Sequence, residues 1–134
     1  MREIKFQFPA NKEFNELFNS VGWGDRDDAK IDKHREMSVF AVSIFEDNKI
    51  VGMARVVGDG SYFTVYDVVV RKECQGKGYG KILMQEIVKW YKSVEDDDTY
   101  LYLGASAGKE KFYEKFGFRA RPYGHIGAGM KFED

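Results

Sequence analysis

The sequence predicts an α/β fold: a mixed, mostly antiparallel sheet with helices on both faces, in one domain covering residues 1–134. Three features predict it. Apolar runs of strand length succeed one another through tight turns between Val39 and Val70. A glycine-rich stretch then opens a segment of helical periodicity. A further apolar run, Tyr100 to Ala105, follows that helix, and strand, helix, strand in this order requires at least one parallel pairing.

The elements follow in order. Ile4, Phe6 and Phe8 alternate with Lys5 and Gln7, a strand pattern that Pro9-Ala10-Asn11 ends. Phe14, Leu17, Phe18 and Val21 then recur at helical spacing. Residues 22–38 are polar and weakly periodic, and read equally as a second helix or as a loop. Val39–Phe45 and Lys49–Val57 form two strands about an Asp47-Asn48 turn, and Gly58-Asp59-Gly60 turns the chain into a third, Tyr62–Val70. After Gly78, the residues Ile82, Leu83, Ile87, Trp90, Tyr91 and Val94 trace one face of a helix of about four turns. Glu95 to Asp98 is a solvated loop. Gly108 to Phe116 is a short helix with Ser106 as its N-cap and Gly117 at its close, and Gly129 to Glu133 supplies a last strand.

Composition narrows the function. Apolar residues make up 43% and aromatics 16%, enough for a packed core without staples. A net charge of −1 lacks the basic excess that a nucleic-acid binder carries. Cys74 is the sole cysteine, which rules out an internal disulfide and a multi-cysteine metal site; with no base placed beside it, it reads as an incidental loop thiol. His34 and His125, with scattered acids, show no metal-ligand spacing, so no metal is expected. The N-terminus has no apolar signal core, and charges interrupt each apolar run before membrane-spanning length. A reduced, cytoplasmic setting without membrane contact is the expectation.

The most informative stretch runs from Val65 to Lys81. A strand enters a loop holding Gly76, Gly78 and Gly80, and a helix starts there. Alternate glycines let successive backbone N–H groups face outward, and the helix N-terminus adds unpaired N–H groups and a positive dipole end. Such a socket suits phosphate oxygens, and Lys72, Lys77 and Lys81 add charge. A Walker loop ending at Gly80-Lys81 would need glycine at Gln75 and a hydroxyl residue at Ile82. A dinucleotide fingerprint from Gly76 would need a small residue at Lys81 and a position early in a βαβ unit. Both fail.

The spacing that fits is Gln/Arg-x-x-Gly-x-Gly/Ala, met by Gln75, Gly78 and Gly80. With the second match Phe112-Tyr-Glu-Lys-Phe-Gly-Phe118, the sequence resembles the GNAT N-acetyltransferase superfamily over nearly its whole length. The resemblance implies acetyl-coenzyme A as cosubstrate and splayed central strands that form its cleft. It implies that Gln75, Gly76, Lys77, Gly78, Tyr79, Gly80 and Lys81 cradle the pyrophosphate, and that Val68, Val69 and Val70 run beside the pantetheine arm. The Val70 N–H would polarise the acetyl carbonyl. Tyr113 matches the family's general acid; a phenol with a pKa of about 10 keeps its proton where a thiol of about 8.5 loses it.

Asp67 stands where some aminosugar acetyltransferases of the family carry an acid, and reads equally as general base or as a solvent-facing residue. Ser106 stands where many members place an asparagine that contacts the cofactor, and serine is the shorter side chain. Trp23, Tyr123 and His125 lie in the two regions that wall the family's acceptor pocket, and read equally as pocket or as cover. The implied activity is direct transfer of acetyl to a primary amine in a ternary complex. A small-molecule acceptor is expected, because a compact chain lacks an appended recognition module. The alternatives are a protein lysine or N-terminal acetyltransferase, a non-catalytic acyl-coenzyme A sensor, and a plain interaction domain. Many members are dimers, which leaves a homodimer open.

Overall fold

The computed structural model describes residues 1–133. In chain order the elements are β1 (Arg2–Lys5), α1 (Asn11–Ser20), α2 (Asp28–Met37), β2 (Ser38–Glu46), β3 (Lys49–Gly58), β4 (Tyr62–Val70), α3 (Tyr79–Val94), β5 (Tyr100–Leu103) and α4 (Glu110–Glu114). The sheet order is β1-β2-β3-β4-β5. Its first three pairings are antiparallel and the last, β4 with β5, is parallel. This is the mixed, mostly antiparallel sheet that the sequence predicts. No helix among the described residues is long and apolar enough to cross a membrane.

Local chemistry sets the hairpins. Asp47 and Asn48 both adopt left-handed backbone, φ 49° and 68°, the twist that a two-residue turn between antiparallel strands requires. The register follows, with Glu46 opposite Lys49. At the β3–β4 turn, the Asp59 carboxylate accepts the N–H groups of Tyr62 and Ser61, each at 2.9 Å.

Alternation in the strands builds two cores, one on each face. Val42, Ile44, Ala54, Val56, Phe63 and Val65 pack against Leu83, Met84 and Ile87 of α3. On the opposite face Phe45, Ile50, Met53 and Val69 pack against Phe14, Leu17 and Phe18 of α1 and Ile31 of α2. Full burial of one such side chain contributes about 1.5–3 kcal/mol, so these two layers dominate stability. Ile31 anchors α2, settling residues 22–38 as a loop followed by a helix, and Arg35 Nη2 ties α2 to the Pro9 carbonyl at 2.9 Å.

Three expectations are corrected. β1 ends at Lys5 rather than Phe8: Ile4 joins the α3-side core while Phe8 stacks on Phe14 across the sheet, 5.7 Å between ring centres, so the chain rounds the sheet edge between them. Ser106 does not cap α4, whose N-cap is Lys109. Residues 129–133 form no strand; Met130 and Phe132 are 96% and 87% exposed. Gly127 and Gly129 weaken strand propensity there, and no strand edge pairs with the segment.

Candidate active site

Two features of β4 create the site. The parallel pairing with β5 covers only Tyr62↔Tyr100 to Val65↔Leu103, after which β5 ends. β4 runs on to Val70, held on its other edge by Met53↔Val69 and Gly52↔Val70. The edge of Tyr66 to Val70 therefore faces a gap that no strand fills among the described residues, which is the expected splay. Within this stretch the register slips: Arg55 pairs with Tyr66 and Met53 with Val69, so Asp67 and Val68 together oppose Ala54. Asp67 sits at the bulge with φ 53°, a conformation that aspartate tolerates better than most residues.

The bulge sends side chains to opposite faces. Val68 and Val70 pack into the α3-side core, while Val69 enters the α1 side. Asp67 binds Arg55 through Nε at 2.6 Å, and Arg55 also donates from Nη1 to Ser38 Oγ at 3.3 Å. The guanidinium is nearly buried and the carboxylate only partly so. Sequence reasoning missed this pair, although an arginine amid Val51-Gly-Met-Ala-Arg-Val-Val57 was a signal, since a charge inside a buried strand needs a partner.

The loop after β4 is tied down before it opens. Arg71 is buried, donates Nε–H to the Ile50 carbonyl at 2.8 Å and pairs with Glu16 of α1 at 3.1 Å. The Gln75 side chain donates to the Val70 carbonyl at 3.1 Å, so it shapes the loop from within. Gly76 and Gly78 have φ 81° and 90°, and a Cβ on either would stand in open space. Here glycine is required by backbone conformation, and the ground in front of both residues is clear. Gly78 is the N-cap of α3 and offers no side-chain cap, so the first N–H groups of a 16-residue helix point out of the loop. Lys77 and Lys81 are exposed beside them.

Gly80 has a different reason. A Cβ there would meet Phe112 Cζ at 3.3 Å and Val70 Cγ2 at 3.9 Å, so this glycine lets α4 lie against α3. Tyr79 also turns inward: its hydroxyl donates to Glu46 Oε1 at 2.8 Å, a bond that raises its pKa. Only the Tyr79 main chain is left to face a ligand.

Tyr113 follows Phe112 on α4 and is half-buried, its ring edge-on to Phe112 at 5.0 Å. Burial raises its pKa above the ordinary phenol value. Through the Phe112–Gly80 contact, Tyr113 is coupled to the same helix start as the glycine loop.

The remaining predicted residues are scattered. Trp23, 47% exposed, lies edge-on to Phe18 at 5.1 Å in the α1–α2 loop. Tyr123 and Ile126 close a small bridge, Arg119 lies 3.8 Å over the Tyr123 ring, and His125 is exposed at the tip. The aromatic partner of Trp23 is thus on α1, while that of Tyr123 lies within its own loop. Cys74 is half-buried against the α3-side core. Two shallow depressions, of about 340 Å³ by Gln85, Lys89 and Phe116 and about 310 Å³ over Phe6–Phe8, include neither the glycine loop nor Tyr113.

Comparison with known proteins agrees with this geometry. A model of the acetyltransferase (GNAT) family matches residues 6–118. The chain is 32% identical over 117 residues to the uncharacterised N-acetyltransferase ycf52 of Porphyra purpurea, covering 84% of this chain and 66% of that protein. Its counterpart in Gracilaria tenuistipitata var. liui is 36% identical over 117 residues, covering 84% and 63%. The chain therefore spans slightly under two thirds of the length of these relatives. Among solved structures, a Staphylococcus aureus protein of unknown function, described as a probable acetyltransferase, superposes with a TM-score of 0.86 at 29% identity, over 100% of both chains. The matched span holds the splayed β4, the glycine loop and Tyr113, and the chain belongs to the GNAT family of acetyltransferases.

Proposed function

We propose that this chain transfers an acetyl group from acetyl-coenzyme A to a primary amine of a small molecule. The observation that carries the reading is the joint geometry of loop and gap. Outward main-chain N–H groups around Gly76 to Lys81 stand at the end of the one strand edge that its neighbour has left. A diphosphate suits the first and an extended amide-bearing arm suits the second. Family membership supports acetyl-coenzyme A as the molecule that carries both.

Each residue then has a physical task. The N–H groups from Gly76 to Lys81 hold phosphate oxygens, with Lys77 and Lys81 supplying charge. Main-chain groups of Val68 and Val70 pair with the arm, and the Val70 N–H faces the acetyl carbonyl. Gln75 keeps the Val70 carbonyl oriented. Tyr113 keeps its proton through neutral and alkaline pH because burial disfavours the phenolate, and gives it to the departing thiolate. Acetyl-coenzyme A supplies the activated thioester. Asp67 is held by Arg55, which favours a positioning task at the bulge over free proton exchange with solvent.

Two measurements test the reading. Calorimetry with coenzyme A should show binding, and thiol release with an amine panel should show turnover that Tyr113→Phe lowers. Absence of coenzyme A binding at high micromolar concentration would eliminate the proposal, and binding without turnover on any amine would leave a non-catalytic sensor.

A further inference from the structure

Direct transfer to an amine leaves one proton without a destination. Once the amine nitrogen has bonded to the thioester carbon it carries a surplus proton, and the amide becomes neutral only when a base removes it. Tyr113 gives a proton to the thiolate and is not that base. It packs on the α3-side core. The other side of the notch formed by the glycine loop and the open edge of β4 lies against α1 and α2, where Val69 is packed.

Asp67 is the carboxylate at the bulge, but it is committed elsewhere. Arg55 Nε holds it at 2.6 Å, Arg55 Nη1 donates to Ser38 Oγ at 3.3 Å, and Ser38 in turn donates to the His34 carbonyl at 2.6 Å. This series of bonds runs from the bulge to the last turn of α2 and ties His34 to it. The imidazole is half-buried, with its centre 6.1 Å from the Phe14 ring. Phe14 shares a core with Val69 of β4, so the imidazole lies on the α1 side of the strand whose edge is open. Phe18, 4.1 Å from Phe14, and Trp23, edge-on to Phe18 at 5.1 Å, continue the row of rings to the surface.

The charges around His34 decide its state. Arg55 from β3, Asp67 from β4, Lys30 one turn back on α2 and Arg26 from the α1–α2 loop all act on the ring. Burial, then Arg55, lower its pKa; Lys30 and Arg26 add to that, and Asp67 opposes it. His34 therefore stands neutral at neutral pH, with a lone pair on one ring nitrogen. Arg55, Lys30 and Arg26 are cations with no lone pair to offer, and Asp67 is already paired.

We infer that His34 is the proton acceptor for the attacking amine. The inference rests on the acetyl-transfer reading and deepens it by naming the base of that same site. The nitrogen lone pair forms the C–N bond, and the imidazole takes the proton that this nitrogen releases. The C–S bond breaks to a thiolate, which takes the Tyr113 proton. One proton then passes from imidazolium to phenolate through water, and both residues return to their starting states.

The test screens tryptamine, spermidine, glucosamine 6-phosphate and a lysine peptide with acetyl-coenzyme A and carries the fastest acceptor into pH profiles, within the range where thermal melts show folded protein. Deprotonation of the free amine alone makes log kcat/KM rise with slope one, and a base on the free enzyme adds a second unit of slope below its own pKa. Wild type should show slope two at the acid end and slope one above a break that lies below pH of about 6.5. His34→Gln should keep slope one throughout, with kcat lower by about 10²-fold or more and coenzyme A Kd unchanged. In wild type loaded with coenzyme A, the His34 ring signal in NMR should move on adding the acceptor, a readout that stands even if the variant fails to fold. Slope one throughout in wild type, turnover by folded His34→Gln within threefold of wild type, or a ring signal unmoved by saturating amine would overturn the inference while leaving acetyl transfer standing. No coenzyme A binding, or no transfer to any amine, would take both down.

Discussion

Gly78→Ala separates the loop's conformational role from its ligand role. Gly78 has φ 90°, and an added Cβ meets no atom within 4 Å, so the substitution introduces backbone strain without a clash. A left-handed conformation costs an L-residue about 1–2 kcal/mol. Loss of unfolded-state entropy on replacing glycine returns about 0.4–1 kcal/mol. The net destabilisation is about 1 kcal/mol, or about 4 °C in Tm for a chain of this size. Relaxation of that strain would turn N–H groups at the start of α3 away from the phosphates. One charge-assisted hydrogen bond is worth about 1.5–3 kcal/mol, so coenzyme A Kd should rise about 10- to 100-fold. Gly60→Ala is the control, because Gly60 has φ 100°, equally open surroundings and a place in the distant β3–β4 turn. It should lower Tm similarly and leave Kd unchanged. Calorimetry and thermal melts read both quantities. A Gly78→Ala protein with the expected Tm loss and wild-type Kd would refute the reasoning.

Four further outcomes are expected. Tyr113→Phe should lower kcat by about 10²-fold or more while sparing coenzyme A Kd, and in wild type any alkaline fall in rate from phenol ionisation should lie above pH of about 10, because burial raises this pKa; stopped thiol assays across pH check both. Arg55→Met should destabilise the chain by about 2–4 kcal/mol in urea unfolding, since it leaves the partly buried Asp67 carboxylate unpaired, and Asp67→Asn should cost about as much, because it leaves the more deeply buried Arg55 guanidinium without a counter-charge. Leu83→Ala, at a fully buried site facing Gly52, should cost about 2–5 kcal/mol in the same assay. His34 has its pKa lowered, first by burial and then by Arg55, so the fold favours its neutral form; stability should be fully present above pH of about 6.5 and decline as pH falls below it, and His34→Gln should flatten that decline.

Much of the fold was legible because its signals are local. Asp47-Asn48 names its own turn, and the apolar stripe from Ile82 to Val94 names its helix. The glycine loop was legible as a motif, yet its glycines divide by cause: Gly76 and Gly78 by φ, Gly80 by the approach of Phe112. That division depends on α4 folding back, which no local pattern encodes. The bulge at Asp67 was equally hidden, because it is a register slip against β3 and strand alternation assumes none. Residues 129–133 misled for the converse reason: Met130 and Phe132 alternate as a strand would, but a strand exists only where an edge receives it.

The most direct measurement is a titration of ¹⁵N-labelled protein with coenzyme A, following each backbone amide by NMR. The largest shifts should fall on Gly76, Gly78, Tyr79, Gly80 and Lys81, with a second group at Val68 and Val70 and little change in β1 or α2. Saturable shifts centred on another surface, with those loop amides unmoved, would contradict the assignment of diphosphate and thioester arm to this notch.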